Sequence, residues 1–255
     1  MKEMEKRGKE EFIYGLNPVI EALRSGRDVT AVYVHSGRHK ELGRLFTEAR
    51  LRGVSVKSAP MSFFDGKFPK GHQGVAALVG ETVYMELEDL LLLPGNKREP
   101  AFFAVLDGVE DPRNFGAILR SGEAAGIHGV VIQKHRSAGL GPIAVKASAG
   151  ASEYVAVAMI PNIKHALLAM KDMGITIIGA EGGTGLSPFQ TDLRVPLALV
   201  IGSEGGGLRE TVKDKCDLIV SLPMRGKLNS LNVSAASAVL FYEILRQRAG
   251  FSKKK

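Results

Sequence analysis

Three segments concentrate residue types that can handle an anion or a hydroxyl group. DGVEDPRNFGAILRSGEAAG places Asn114 six residues before Arg120, GSEGGGLRE sets Glu204 among Gly202, Gly205, Gly206 and Gly207, and LPMRGKLNSLNVSAASA carries Ser230 and Asn232. An arginine offers a permanently charged planar fork for phosphate. A carboxylate, two carboxamides and a hydroxyl add acceptors and donors that can orient a reacting alcohol. Each feature also has a plain structural alternative. Asn114 and Ser230 read as helix N-caps, Arg120 as a solvated helical charge, and the glycines as a tight turn. For one arginine in isolation that alternative wins. It weakens here because Arg120 belongs to a helix that starts at the carboxyl end of an apolar strand.

Other chemistries fail on spacing. Gly202 to Gly207 has glycine at the first, fourth, fifth and sixth places, and GAEGGTGL likewise misses the G-x-G-x-x-G pattern of a dinucleotide fold. A nucleotide-cofactor oxidoreductase is therefore disfavoured. The Gly-Lys pairs at 66–67 and 226–227 lead into Phe68 and Leu228, so neither ends a P-loop. There is no G-x-S-x-G elbow and no H-E-x-x-H helix. His35 and His39 are separated by Ser36-Gly37 and flanked by Arg38 and Lys40, which favours a basic loop over a metal site. The single cysteine, Cys216, excludes an internal disulfide and a thiolate zinc cluster, and fits a reducing, cytoplasmic setting. No metal is expected.

The elements that must position these loops follow from apolar patterning. Strands are expected at Phe102–Leu106, Gly129–Ile132, Tyr154–Ala158, Ile175–Ala180, Leu197–Ile201 and Leu218–Ser221. Helical patterns lie at Asn114–Ala125, Ile163–Met173 and Ser230–Arg248, with Gly126 closing the first. Small residues Ser234, Ala235, Ala236 and Ala238 suit close packing of the last helix against another backbone. Apolar strands without polar alternation, separated by helices, imply a parallel sheet covered on both faces. Ligands of such sheets bind beyond the carboxyl ends of the strands, here the loops after Leu106, Ala180, Ile201 and Ser221.

The fold expected is α/β: a small N-terminal α/β module over residues 11–80, a linker over 81–100 and a parallel-sheet catalytic domain over 101–250. In the module, Asn17-Pro18 opens a helix that Ser25-Gly26 closes, and Val29–Val34, Gly53–Val56 and Gly74–Val79 read as strands around a second helix ending at Gly53. Pro94-Gly95 within MELEDLLLLPGNKREP marks the linker as a turn.

Charge divides along the same line. The 255 residues carry 34 Lys+Arg and 27 Asp+Glu. Residues 1–80 hold 14 basic and 9 acidic residues, a surplus of five, whereas residues 81–255 hold 20 and 18. A basic front beside a nearly neutral body suits an anionic partner held by one and worked on by the other, although a solvated surface explains the charge equally well. MKEMEKRGKEE lacks the apolar core of a signal peptide, and aliphatic runs such as Leu90 to Leu93 are far short of the roughly 18 residues of a membrane helix. A soluble protein without membrane contact is expected.

Together the three loop segments resemble the three motifs of the SpoU (TrmH) branch of the SPOUT RNA methyltransferases, across residues 102–248. YGLNPVIEAL and HQGVAA resemble the N-terminal module of that branch's bacterial 23S rRNA guanosine-2′-O-methyltransferases. The resemblance implies a C-terminal trefoil knot, a homodimer, and S-adenosylmethionine held by the knot loops at Gly202, Leu222 and Leu231, with Ala180, Glu181 and Met224 as neighbours. It implies methyl transfer to a ribose 2′-hydroxyl with Asn114, Arg120, Glu204, Ser230 and Asn232 as the polar constellation. A guanidinium stays protonated to about pH 12, so Arg120 is better placed as a phosphate clamp that stabilises the alkoxide than as a base. The substrate implied is RNA, with rRNA favoured because short tRNA enzymes of the branch lack the front module. A tRNA ribose methyltransferase and a non-catalytic RNA-binding assembly factor are the alternatives. Arg24, Arg27, Arg38, Lys40, Arg44 and Arg113, with Arg50 and Arg52, are the candidate RNA contacts.

Overall fold

The computed structural model describes residues 10–37, 42–183 and 185–249. Two sheets organise them. The first contains β1 (Glu10–Tyr14), β2 (Val29–His35), β3 (Ser55–Ala59) and β4 (Val75–Gly80) in the order β1-β4-β2-β3. β1 and β2 each run antiparallel to β4, and β3 runs parallel to β2. Helices α1 (Leu16–Ser25) and α2 (Gly43–Leu51) bury Val19, Ile20, Leu23, Leu45 and Ala49 against one face. A third helix, α3 (Met61–Lys67), lies on the other through Phe63 and Phe64. β1 and α3 are elements that the apolar patterning did not reveal, being short and interrupted by charge.

The second sheet is wholly parallel, in the order β10-β8-β9-β5-β6-β7. Its strands are β5 (Phe102–Asp107), β6 (Gly129–Gln133), β7 (Ala156–Ile160), β8 (Thr176–Ala180), β9 (Leu197–Gly202) and β10 (Leu218–Val220). Alternate residues of β5 serve opposite cores: Phe102, Ala104 and Leu106 on one face, Phe103 and Val105 on the other. That double burial explains its unbroken apolar run, each large side chain contributing roughly 1.5–3 kcal/mol. Helices α5 (Pro112–Ala124) and α9 (Val233–Arg248) cover the first face, and α7 (Ile163–Asp172) covers the second.

Several local expectations are corrected. Residues 87–97 form a helix, α4 (Leu87–Lys97), with Pro94 inside it. Leu90 and Leu91 are buried in the second core, so the aliphatic run packs with the parallel sheet and is no free linker. Gly15 rather than Asn17 precedes α1, and Pro18 falls within its first turn. Asp111, not Asn114, caps α5, its carboxylate accepting from the Arg113 N–H at 2.7 Å with Pro112 in the first turn. Asn232, not Ser230, caps α9, its Oδ1 accepting from Ser234 N–H at 3.0 Å and Ala235 N–H at 3.3 Å. The glycine loop is followed by α8 (Glu210–Lys213), a single turn too short to offer an anion site.

The sheets are tied through α6 (Pro142–Ala147) and the following turn. Val145 inserts into the N-terminal core. Arg27 meets Glu153 at 2.9 Å, Glu11 at 2.6 Å and the Gly80 carbonyl at 2.8 Å, and the Tyr154 hydroxyl donates to Glu21 at 2.7 Å.

Candidate active site

Strands β10, β8, β9 and β5 are consecutive in the sheet, so the loops after them share one carboxyl edge. Three side chains from the segments that follow β5, β9 and β10 meet there. Asn232 donates through Nδ2 to Glu204 Oε1 at 2.6 Å and to Asn114 Oδ1 at 3.0 Å. Asn114 donates through its own Nδ2 to Glu204 Oε2 at 3.1 Å. The cap determines the orientation: because Asn232 Oδ1 is used by the α9 amides, its NH₂ group must face Glu204. The displacement of Asn114 from capping position into the helix frees its carboxamide to close the ring. Asn114 and Glu204 border a cleft of about 350 Å³, lined also by Gly108, Asp111, Ser203 and Val233, the residue after Asn232. It offers a carboxylate able to accept a hydroxyl proton, held in orientation by two amides.

The glycine loop is built to return on itself. Ser203 and Gly207 exchange backbone hydrogen bonds of 3.0 and 3.1 Å, and a Cβ at Gly202 would collide with the Gly207 and Leu208 backbone. Gly202 is thus required by the loop's own packing, a reason distinct from approach to a ligand. Beyond the turn, Arg209 folds onto Asp107 at the end of β5: Nε donates to Oδ1 at 2.6 Å and the backbone N–H to Oδ2 at 3.0 Å. The Asp107 side chain is fully buried, and Arg209 also reaches Gln133 at 2.7 Å. Neither residue stood out in the sequence. The available signal was an aspartate ending an otherwise apolar strand.

The residues expected around a methyl donor lie on the same edge. Ala180 ends β8 beside Ile201 of β9 and Val220 of β10. Glu181 pairs with Lys213 at 2.7 Å, a contact that raises the lysine pKa. Leu222 packs half-buried on the core, Met224 is half-buried and Leu231 is 42% exposed. The backbone N–H groups of Leu222 and of Met224 to Leu231 make no hydrogen bond to another described residue, and Pro223 between them has none to give. Such a run of open donors beside half-covered apolar side chains suits a ligand with a polar chain and a flat ring.

Not every expected residue joins the cluster. Ser230 is exposed, and the carbonyl of the preceding Asn229 lies close to Gly182. Arg120 lies about one and two-thirds turns beyond Asn114 on α5, exposed and without a hydrogen bond or ion pair among the described residues.

Comparison with known proteins settles the family. Residues 101–242 match the SpoU rRNA Methylase family. The chain belongs to the SpoU methylase family. Residues 12–85 match a second family, described as RNA 2′-O ribose methyltransferase substrate binding. YacO of Bacillus subtilis, assigned by name to the TrmH family of tRNA/rRNA methyltransferases, is 40% identical over 93% of this chain and 96% of its own. The SpoU methyltransferase AviRb of Streptomyces viridochromogenes, solved with AdoMet, has a TM-score of 0.78 and 25% identity, covering 94% of this chain and 91% of that one. A TrmH/SpoU tRNA modifying enzyme of A. aeolicus has a TM-score of 0.53 and 26% identity over 64% of this chain and 82% of its own.

In this SpoU methylase the arginines expected to hold RNA divide. Arg24 is paired with Glu48 at 2.7 Å and Glu21 at 3.3 Å, and Arg27 is consumed by the tie between the two sheets. These two are structural cations: carboxylates of the chain itself occupy the donors a phosphate would use. Arg52 spends one nitrogen on the Arg24 carbonyl at 2.6 Å. Arg44, Arg50 and Arg113 are exposed. Arg38 and Lys40 lie outside the described residues.

Proposed function

We propose that the protein methylates a ribose 2′-hydroxyl of RNA, with a guanosine of 23S rRNA as the target and S-adenosylmethionine as the methyl donor. The observation that carries this reading is the Asn114–Glu204–Asn232 ring beside the unbonded 222–231 backbone, at one edge of the parallel sheet. When bound, the cofactor supplies an electrophilic sulfonium methyl. The chain orients the acceptor: Glu204 takes up the hydroxyl's hydrogen bond, and the two carboxamides hold the carboxylate in place. Arg120 clamps phosphate and steadies the developing alkoxide.

Arg120 is exposed and makes no hydrogen bond or ion pair to the Asn114–Glu204–Asn232 ring among the described residues, which supports a homodimer in which it serves the partner's cleft. Exposed Val239 and Tyr242 on α9 supply apolar surface for that contact. The knot is supported by contacts on both edges of β10: Glu181 N–H bonds Val220 O at 3.0 Å on one, and Ser221 N–H bonds Leu186 O at 2.9 Å on the other. The N-terminal module supports rRNA over tRNA, since the tRNA modifying enzyme aligns with only 64% of this chain.

Calorimetry with S-adenosylmethionine and mass spectrometry of rRNA and tRNA from cells lacking the protein test the reading. A missing 2′-O-methyl guanosine in 23S rRNA is the expected result; a mark lost only from tRNA moves the substrate, and absence of cofactor binding ends the enzyme reading. Arg120→Ala should abolish methyl transfer with cofactor affinity nearly unchanged, and retained activity would remove Arg120 from the mechanism.

A further inference from the structure

The N-terminal sheet buries one face under α1 and α2, while its other face gathers aromatic rings. Phe12, Tyr14 and Tyr33 project from β1 and β2, and Phe63, Phe64 and Phe68 close on them from α3 and its exit. Tyr14 and Phe64 are buried and form a small core; Phe12, Tyr33, Phe63 and Phe68 remain half-buried. Tyr33 and Phe63 stack with centroids 5.2 Å apart. Two exposed lysines stand over this layer. Lys67 Nζ is 4.4 Å from the Phe12 centroid and 5.4 Å from that of Phe63. Lys57, paired with Tyr33 in the strand register, is 5.8 Å from its ring. Neither lysine has a carboxylate partner among the described residues, whereas Arg24 and Arg27 are each paired with two glutamates. An exposed cation–ring contact contributes only about 0.5–1 kcal/mol, too little to account for two lysines held over rings that stay half in water.

We propose that this face is where the module holds unpaired RNA nucleotides, with bases stacked on Tyr33, Phe63 and Phe12 and phosphates met by Lys57 and Lys67. Aromatic faces accept any base, and a positively charged margin tracks the backbone. Four-stranded sheets bearing exposed aromatics hold RNA by the same means. Tyr14 stacks on Phe68 at 5.3 Å, and burial raises its phenol pKa, the charge of Arg113 in the first turn of α5 acting in the opposite direction. Glu10 and Asp65 bound the patch, the latter paired with His72 at 3.1 Å.

The inference rests on the RNA methyltransferase reading and adds the surface and the form of RNA that it grips. The test uses the full chain and a short unpaired RNA oligonucleotide carrying 2-aminopurine, read by anisotropy and by quenching over a salt series. Lys57→Ala with Lys67→Ala should lower the slope of log affinity against log salt by about 1.4, from roughly 0.7 per phosphate contact on a single strand. Tyr33→Leu should weaken binding about tenfold and reduce the quenching that stacking produces. Lys97→Ala, an exposed cation at the end of α4, should change neither. Only exposed side chains change in the lysine variant, and cofactor affinity by calorimetry reports that each protein is folded. Parental affinity, slope and quenching in both variants would overturn the proposal, as would failure of the oligonucleotide to bind the parent chain. Loss of cofactor binding by the parent chain would instead count against the methyltransferase reading.

Discussion

Replacing Arg209 with methionine separates a loop held by charge from one held by its own turn. The Asp107 side chain has 0% exposure while that of Arg209 is 44% exposed, so the two halves of the pair are not equivalent. Without the guanidinium, the buried carboxylate keeps only the backbone N–H of residue 209, and a buried charge stripped of its partner costs about 3–5 kcal/mol. Asp107→Asn removes the opposite charge. The guanidinium left behind is half in water and still bonded to Gln133 at 2.7 Å, and an amide oxygen can still accept from residue 209. The cost is then close to that of one charge-assisted hydrogen bond, about 1.5 kcal/mol. For a chain of this length these values correspond to melting shifts of roughly 10 °C and roughly 4 °C. Thermal unfolding monitored by circular dichroism measures both, and calorimetry with S-adenosylmethionine should show weaker binding in each as the loop loosens. Equal shifts, or a larger one for Asp107→Asn, would refute the reasoning.

Three further outcomes are expected. Asn232→Asp keeps an effective N-cap on α9 but sets a second carboxylate where a donor stood 2.6 Å from Glu204. Methyl transfer from radiolabelled cofactor should fall about a hundredfold or more with little change in melting temperature, and retained turnover would remove the trio from catalysis. Arg27→Met unpairs Glu153, whose side chain is 5% exposed, and should cost about 3 kcal/mol in thermal unfolding with no change in the salt slope of RNA binding. A lower slope at unchanged stability would return Arg27 to the RNA surface. Burial pushes the Cys216 thiol up to about 11, so it stays protonated at pH 8 and iodoacetamide should label the native protein about a hundredfold more slowly than the unfolded chain. Fast native labelling, followed by mass spectrometry, would show the thiol to be open.

The elements of the catalytic half were legible because double burial leaves a local trace. All six expected strands are present, and the differences in their bounds are small, as at the third, which begins at Ala156 after a short turn at 151–153. Helix starts were less legible. Asp111-Pro112 and Asn114 compete for one cap, as do Ser230 and Asn232, and the choice depends on where the remaining side chains find partners. The stretch 81–100 misled because Pro94-Gly95 reads as a break, whereas Leu90 and Leu91 gain more by burial on the second core. The surplus charge of the front module located a basic region without showing which cations are free. Arg24 and Arg27 are spent internally, and Val145 fastens the module to α6, so cutting at residue 80 would uncover a core residue as well as remove an RNA surface.

By itself the sequence determined the parallel sheet, the loops at its carboxyl edge and the residue types those loops carry. Each is a property of a contiguous stretch: an apolar run, a glycine-dense turn, a polar motif of fixed spacing. Which of those residues touch was decided only by tertiary structure. Asn114 meets Glu204 across 90 residues and Asn232 across 118, while Asp107 meets Arg209 across 102. Those meetings follow from the order β10-β8-β9-β5, which puts loops distant in the chain side by side. The aromatic layer depends in the same way on β1 and β2 both pairing with β4, so that Phe12 and Tyr33 share a face that α3 only partly covers. Strand order is a global outcome of packing, and no local pattern of residues specifies it.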